Sequence, residues 1–243
     1  MGDGDVNEPK PSTTIGPDAY AAWRSARLGC ITEALEQRAI FDMMGDVTGA
    51  RLLDVGCGDG ALVCAAAAKG AVATGVDPDP AMLAAARLRV AQAGVHVEFL
   101  EGRVERLPFA TGSFDVVVAV TVLCFVPNAA AAFGEMARIL RPGGRLILGE
   151  LGRWSLWAAV RRVRAWLGAP TWKVARFRTA RELRALAEQA GLSTAAVRGA
   201  VYYPPLGILA RALSPIDERL GHVTTLGAAF IALLAVSTAG ERR

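Results

Sequence analysis

The stretch RLLDVGCGDGAL, Arg51–Leu62, decides the fold. An apolar run ends at Asp54 and Val55, glycines alternate at Gly56, Gly58 and Gly60, and apolar residues resume at Ala61. That order predicts a strand, a tight turn and a helix, because glycine lets the backbone turn sharply and approach a ligand closely. The flanks repeat the theme. ALVCAAAAKG (61–70) reads as an alanine-rich helix stopped by Gly70, and AVATGVD (71–77) as a second strand. PAMLAAARLRVAQAG (80–94) is a helix opened by Pro80 and ended by Gly94. VHVEFLEG (95–102) alternates as a third strand with His96 inside it. FDVVVAVTVL (114–123) is the unbroken run of a strand buried on both faces. A helix running to the stop signal RPGG (141–144) and a fifth strand, RLILGEL (145–151), continue the pattern. Strands alternating with helices predict an α/β fold with a parallel sheet covered on both faces.

The whole chain sets the bounds. With 243 residues, 53% hydrophobic and 21% charged, it reads as one globular domain over 19–243 behind a flexible polar tail, 1–18. That tail has neither a basic nor an apolar segment of the kind a secretory signal needs, so the cytoplasm is the expected compartment. Cys30, Cys57, Cys64 and Cys124 are scattered without metal-ligand spacing, and no metal site is predicted. The apolar run Leu226–Val236 falls short of the roughly 20 residues a membrane span needs and reads as a buried strand. Within 20–48, Leu28, Ile31, Leu35 and Ala39 recur at helical spacing, predicting one long N-terminal helix.

In an open parallel sheet, ligands sit beyond the carboxyl ends of the strands, where the glycines lie. The second strand ends in Asp77, 23 residues after Asp54, placed to accept hydrogen bonds from both hydroxyls of a ribose. Two cofactors compete. GCGDGA satisfies the dinucleotide pattern G-x-G-x-x-G/A if Ala61 takes the last place, which would make the protein an NAD(P)-dependent oxidoreductase. A carboxylate at Asp54, inside the strand end, instead suits the ammonium group of a methionine moiety, as in S-adenosyl-L-methionine (SAM).

LLDVGCGDG (52–60), GVDPDPAML (75–83), ERLPFATGSFDVV (105–117) and RILRPGGRLIL (138–148) occur in order at the expected separations. Together they resemble the class I SAM-dependent methyltransferases, specifically the UbiE-like, methyltransferase type 11 group. The resemblance implies a Rossmann-like, seven-stranded, mostly parallel sheet with helices on both faces and the last strand antiparallel. It implies SAM as cofactor, with S-adenosyl-L-homocysteine (SAH) as product. By position, Gly56, Cys57, Gly58 and Gly60 would meet the methionine part, Asp77 the ribose, and Pro78 and Met82 the adenine face. Arg103, Val104 and Glu105 would border the adenine, with Val104 contributing its backbone; Thr121 and Val122 would close the floor. Arg103 stands where many relatives carry an acceptor, and arginine offers none.

Methyl transfer from a sulfonium asks the protein mainly to align the acceptor and exclude water; a base is needed only if the nucleophile must lose a proton. No dyad stands out. Glu150, at the carboxyl end of the fifth strand, His222, before the last strand, and Tyr20, in a segment (19–48) that in similar enzymes folds over the cofactor as a lid, are the candidates on the acceptor side. Cys124 reads as packing. Residues 151–225 are expected to contain the acceptor cover. Nine basic residues and one acid fall within 151–184, interleaved with Trp154, Trp157, Trp166 and Trp172. That stretch suits packing on the sheet, and its span 153–178 suits peripheral contact with an anionic membrane. No nucleic-acid-binding module is recognisable. The expected function is methyl transfer to a small apolar or amphipathic acceptor, against a non-catalytic SAM-binding protein.

Overall fold

A computed structural model describes residues 16–238. Two helices, α1 (Pro17–Ser25) and α2 (Arg27–Met44), precede an alternating series. It runs β1 (Arg51–Val55), α3 (Ala61–Ala68), β2 (Val72–Asp77), α4 (Pro80–Ala93), β3 (Val97–Glu101), β4 (Phe114–Val120), α5 (Ala129–Ile139) and β5 (Leu140–Leu151). Then come α6 (Leu156–Trp166), α7 (Pro170–Val174), α8 (Ala180–Gln189), β6 (Leu192–Ala200), α9 (Gly207–Val223) and β7 (Phe230–Ser237).

The seven strands lie in the order β3-β2-β1-β4-β5-β7-β6. All pairings are parallel except those of β7, which runs antiparallel to both β5 and β6. The apolar run of β4 shows why both faces are covered. Val116 and Val118 belong to a core with Ile40, Met44 and Val63, whereas Val117 and Ala119 join Phe133, Met136 and Leu183. Strand order reverses between β1 and β4, so the loops after Val55 and Val120 flank a crevice.

Local chemistry sets most boundaries. Asp79 caps α4 by accepting from the Ala81 N–H, Pro80 fills the first turn, and Gly94 ends the helix in the left-handed conformation. Thr179 and Glu182 form a reciprocal capping box on α8.

Four expectations are corrected. The single N-terminal helix is two, broken where Ala26 is extended, and Gly29 allows the Trp23 carbonyl to press against α2 where a Cβ would collide. Helical structure begins at Pro17, inside the expected 1–18 tail, and residues 1–15 lie outside the described residues. The fifth strand starts early: Leu140 already pairs with Phe114, Arg141–Gly144 bulge out, and Arg145 rejoins at Val116. Pro142 has no N–H to give and Gly143 has φ +74°, which accounts for the bulge. The last strand begins at Phe230, not Leu226, which is exposed ahead of a turn at Gly227 (φ +86°).

Candidate functional site

A cleft opens at the switch point. Its floor is the glycine loop (Gly56, Cys57, Gly58, Asp59) with Asp54 and Asp77, and Met82, Thr121 and Phe125 form one flank. Its roof comes from α1 (Tyr20, Arg24) and α2 (Glu33, Glu36, Gln37, Ile40).

The loop needs its glycines for two different reasons. Gly56 has φ +68°, and a Cβ there would strike the Val122 side chain at 2.5 Å. Gly58, also left-handed at φ +53°, has open space where a Cβ would stand, so it presents bare backbone to the cleft. Asp77 fixes the loop: its Oδ2 accepts from the Gly58 N–H at 2.8 Å and its Oδ1 from the Asp79 N–H at 2.9 Å. Each oxygen keeps a lone pair for a ligand. Thr121, at the end of β4, adopts φ +54°, a conformation costly for a β-branched residue. Its N–H is held by the Gly149 carbonyl at 2.7 Å.

Asp54 is buried at the back of the cleft, 2% exposed. Burial, then the nearby Asp77 carboxylate, pushes its carboxyl up to about 8. Such a group is poised to receive a cation, whose charge would restore the carboxylate form. The donor set of cleft-facing backbone, an acid at the end of β2 and an acid awaiting a cation fits SAM, which carries an ammonium and two ribose hydroxyls.

Asp59 is the feature the sequence reading missed. Its carboxylate pairs with Arg24 from α1 and, at 2.6 Å, with Arg89 from α4. Burial alone would raise its carboxyl, but the two guanidiniums outweigh that and hold it below the usual value. Arg24 also lies 2.8 Å from Glu33 and stacks on the Tyr20 ring, 4.4 Å from its centroid. The glycine loop is thereby tied to the helix above it. An acid among the glycines was the available signal.

The structure brings Tyr20, Asp54, Gly56, Cys57, Gly58, Asp77, Met82 and Thr121 to the cleft wall. The remaining expected residues do not form part of that wall. Gly60, at φ +76°, starts α3 against Ala86, and Val122 packs behind Gly56. Pro78 is exposed, Val104 is buried in the core, and Arg103 is exposed beside Glu105 at 3.4 Å. His96 is exposed ahead of β3 and not within it. His222 ends α9 beside a separate crevice with Arg38 and Asp42, because Gly221 packs the helix against the Gly199 carbonyl, away from the glycine loop. Glu150 is fully buried beneath the β4–α5 loop and does not line the cleft. Its Oε1 accepts from the Leu123 N–H at 2.8 Å, while Arg178 donates to the Leu123 carbonyl, also at 2.8 Å. Cys124 is fully buried and burial raises its thiol, which suits packing. Among the described residues no acid, histidine and cysteine cluster suited to a metal ion is found.

A sheet with its antiparallel strand between β5 and β6, and a glycine-loop cleft at the switch point, defines a Rossmann-like methyltransferase fold. The family model for a methyltransferase domain (type 11) matches residues 53–148. An uncharacterised protein of Mycobacterium tuberculosis is 34% identical over 233 residues, covering 95% of this chain and 76% of that protein. A ubiquinone biosynthesis O-methyltransferase of Idiomarina loihiensis is 32% identical over 187 residues, covering 73% and 74%. The crystal structure of a SAM-dependent methyltransferase from Thermotoga maritima superimposes with a TM-score of 0.68 at 24% identity, covering 91% and 95%. The chain belongs to the class I SAM-dependent methyltransferases of the UbiE-like group, and its cofactor is SAM. The dinucleotide reading of Gly56–Ala61 falls away.

Proposed function

We propose that the protein moves the methyl group of SAM to a small, apolar or amphipathic acceptor held between the glycine loop and the α1–α2 roof. The observation that carries this reading is the cleft itself. Its inner end offers the paired acids Asp54 and Asp77, and its wall offers Tyr20, Ile40, Met82 and Phe125. When bound, SAM supplies an already activated methyl group on sulfur. Asp54 takes the ammonium, Asp77 takes the ribose hydroxyls, and the Gly56–Gly58 backbone lies along the methionine part. The roof excludes water, and the Arg24–Asp59 pair keeps it down. Residues 19–243 act as one domain, with the α1–α2 segment as lid and 151–225 as acceptor cover. Methyl-labelled SAM incubated with a panel of small apolar hydroxyl, amine and thiol compounds should give labelled product by mass spectrometry. SAM binding without any product would favour the non-catalytic alternative.

The acceptor's route is suggested by the surface of the cover. Trp166, at the end of α6, is 85% exposed, Leu167 just after it 71%, and Trp154 just before the helix 63%, and the helix also carries Arg162 and Arg164. Exposed tryptophan beside arginine favours peripheral contact with an anionic bilayer through 153–178. No helix among the described residues is long and apolar enough to cross a membrane. The chain is expected to co-sediment with phosphatidylglycerol vesicles at low salt and to leave them as salt rises. Indifference to lipid charge would contradict this. Nucleic acid is not expected as a partner, and the cytoplasm is the proposed compartment.

A further inference from the structure

The roof of the cleft holds a carboxylate that the cofactor does not need. Asp54 and Asp77 face the cofactor end, Asp59 is taken by Arg24 and Arg89, and Glu33 lies against Arg24. Glu36 is different. It lines the cleft from α2, and among the described residues it makes no hydrogen bond or ion pair. The charged and titratable groups around it come from three directions. Glu33 is on its own helix, Tyr20 lies on α1, and Arg161 approaches from α6. Tyr203, after β6, feels its charge from behind.

Arg161 is held in an unusual way. Its guanidinium lies over the Trp157 ring at 5.2 Å and the Trp172 ring at 4.8 Å, and among the described residues it forms no ion pair. Trp157 is itself anchored, donating from Nε1 to the Tyr203 carbonyl at 2.9 Å. The result is a fixed cation that acts on Glu36 without touching it.

Resting on the methyltransferase reading above, we propose that Glu36 is the general base of this site and that the acceptor is a phenolic or enolic hydroxyl. The oxygen–carbon bond forms as the methyl–sulfur bond breaks. The bonding pair stays on sulfur, giving neutral SAH, and the hydroxyl proton passes to the Glu36 carboxylate. The hydroxyl is chosen over an amine by proton chemistry. A hydroxyl must shed its proton as the ether bond forms, so it needs a carboxylate beside it, whereas a neutral amine can attack with its lone pair and lose the proton afterwards. The base has a suitable strength. Burial raises its carboxyl to about 7, Arg161 pulling the other way and Glu33 adding a push. A base near the working pH is an effective proton acceptor. Tyr20, raised to about 12 mainly by burial, stays neutral and serves as a wall and not as a base.

The test compares wild type and Glu36→Gln by three readouts. SAH affinity, by calorimetry, should be unchanged, because Glu36 is not at the cofactor end. With a panel of substituted phenols and matched anilines and thiophenols, wild type should methylate phenols. Its kcat/KM should rise with pH through about 7 and then level. The Gln variant should lose that limb and fall roughly 100-fold or more. With SAH present, bound 4-nitrophenol should titrate as a coupled pair with Glu36: above about pH 7 it should be less ionised on wild type than on the Gln variant, read by its absorbance. Methylation of anilines or thiophenols without phenols overturns the hydroxyl assignment. A variant with the wild-type rate and pH limb overturns the base, as does nitrophenol whose ionisation on wild type and on the variant is the same. Failure of wild type to bind SAH at all would instead break the underlying methyltransferase reading.

Discussion

Replacing Asp77 by alanine is expected to weaken SAH binding by on the order of 10²–10³-fold while leaving the chain folded. The carboxylate does two jobs at once. It accepts the Gly58 and Asp79 N–H groups, fixing the glycine loop against the start of α4, and its remaining lone pairs face the cleft. Hydrogen bonds to a charged group contribute about 1.5–3 kcal/mol each. Loss of two ribose contacts, with a looser loop, amounts to about 3–4 kcal/mol, and each 1.4 kcal/mol is about tenfold in affinity. Asp77→Asn should fall between, because the amide keeps one acceptor oxygen but turns an NH₂ towards a backbone donor. Calorimetric titration of SAH against the three proteins checks the order. Equal affinities for wild type and the alanine variant would remove Asp77 from the cofactor site.

The second large effect concerns stability. Glu150→Ala should lower Tm by on the order of 10 °C. The buried Leu123 N–H would lose its acceptor, and the buried Arg178 guanidinium its nearby counter-charge. Removing one member of such a network costs about 3 kcal/mol, and a domain of this size shifts by about 2–4 °C per kcal/mol. Glu150→Gln behaves differently, and the sign follows from the raised pKa. Burial lifts the carboxyl from 4.5 to about 7, with Arg178 opposing. A folded-state pKa above the unfolded one gives stability that is complete below about 4.5 and is lost as pH rises through about 7. Gln does not titrate, so wild type should lose Tm relative to the Gln variant between pH 5 and pH 8. A pH-independent difference would show that Glu150 ionises in the folded protein as it does in the unfolded one.

Both residues were visible in the sequence, but only one was visible in its role. Asp77 ends a strand whose place is marked by local signals: the run AVATGVD before it, Pro80 after it and the glycine loop 17 residues upstream at Gly60. Those signals are short-range, so the sheet, its order around β1 and β4, and the acid pair Asp54–Asp77 could be read directly. Glu150 also ends a strand, yet its side chain turns down under Leu123 and towards Arg178, 28 residues further on. Nothing local distinguishes an acid facing a cleft from one facing a buried peptide. The same limit hid Asp59, whose partners Arg24 and Arg89 lie 35 and 30 residues away. It hid Glu36 as well, which sits among helical periodicities that mark it only as polar. Its position before the last strand suggests that His222 lies near the cleft, but α9 holds it at another crevice, with Arg38 and Asp42. Residues 151–225 were the least legible. Their helices pack by Trp157 and Arg161 contacts that no spacing rule anticipates.

The most direct measurement is a calorimetric titration of the full chain with SAH and, separately, with NADH. One SAH bound per chain and no heat from NADH is the predicted result, with SAH binding weakened by on the order of 10²–10³-fold on Asp77→Ala. Binding of NADH in place of SAH would contradict the assignment of the glycine loop, Asp54 and Asp77 to S-adenosyl-L-methionine.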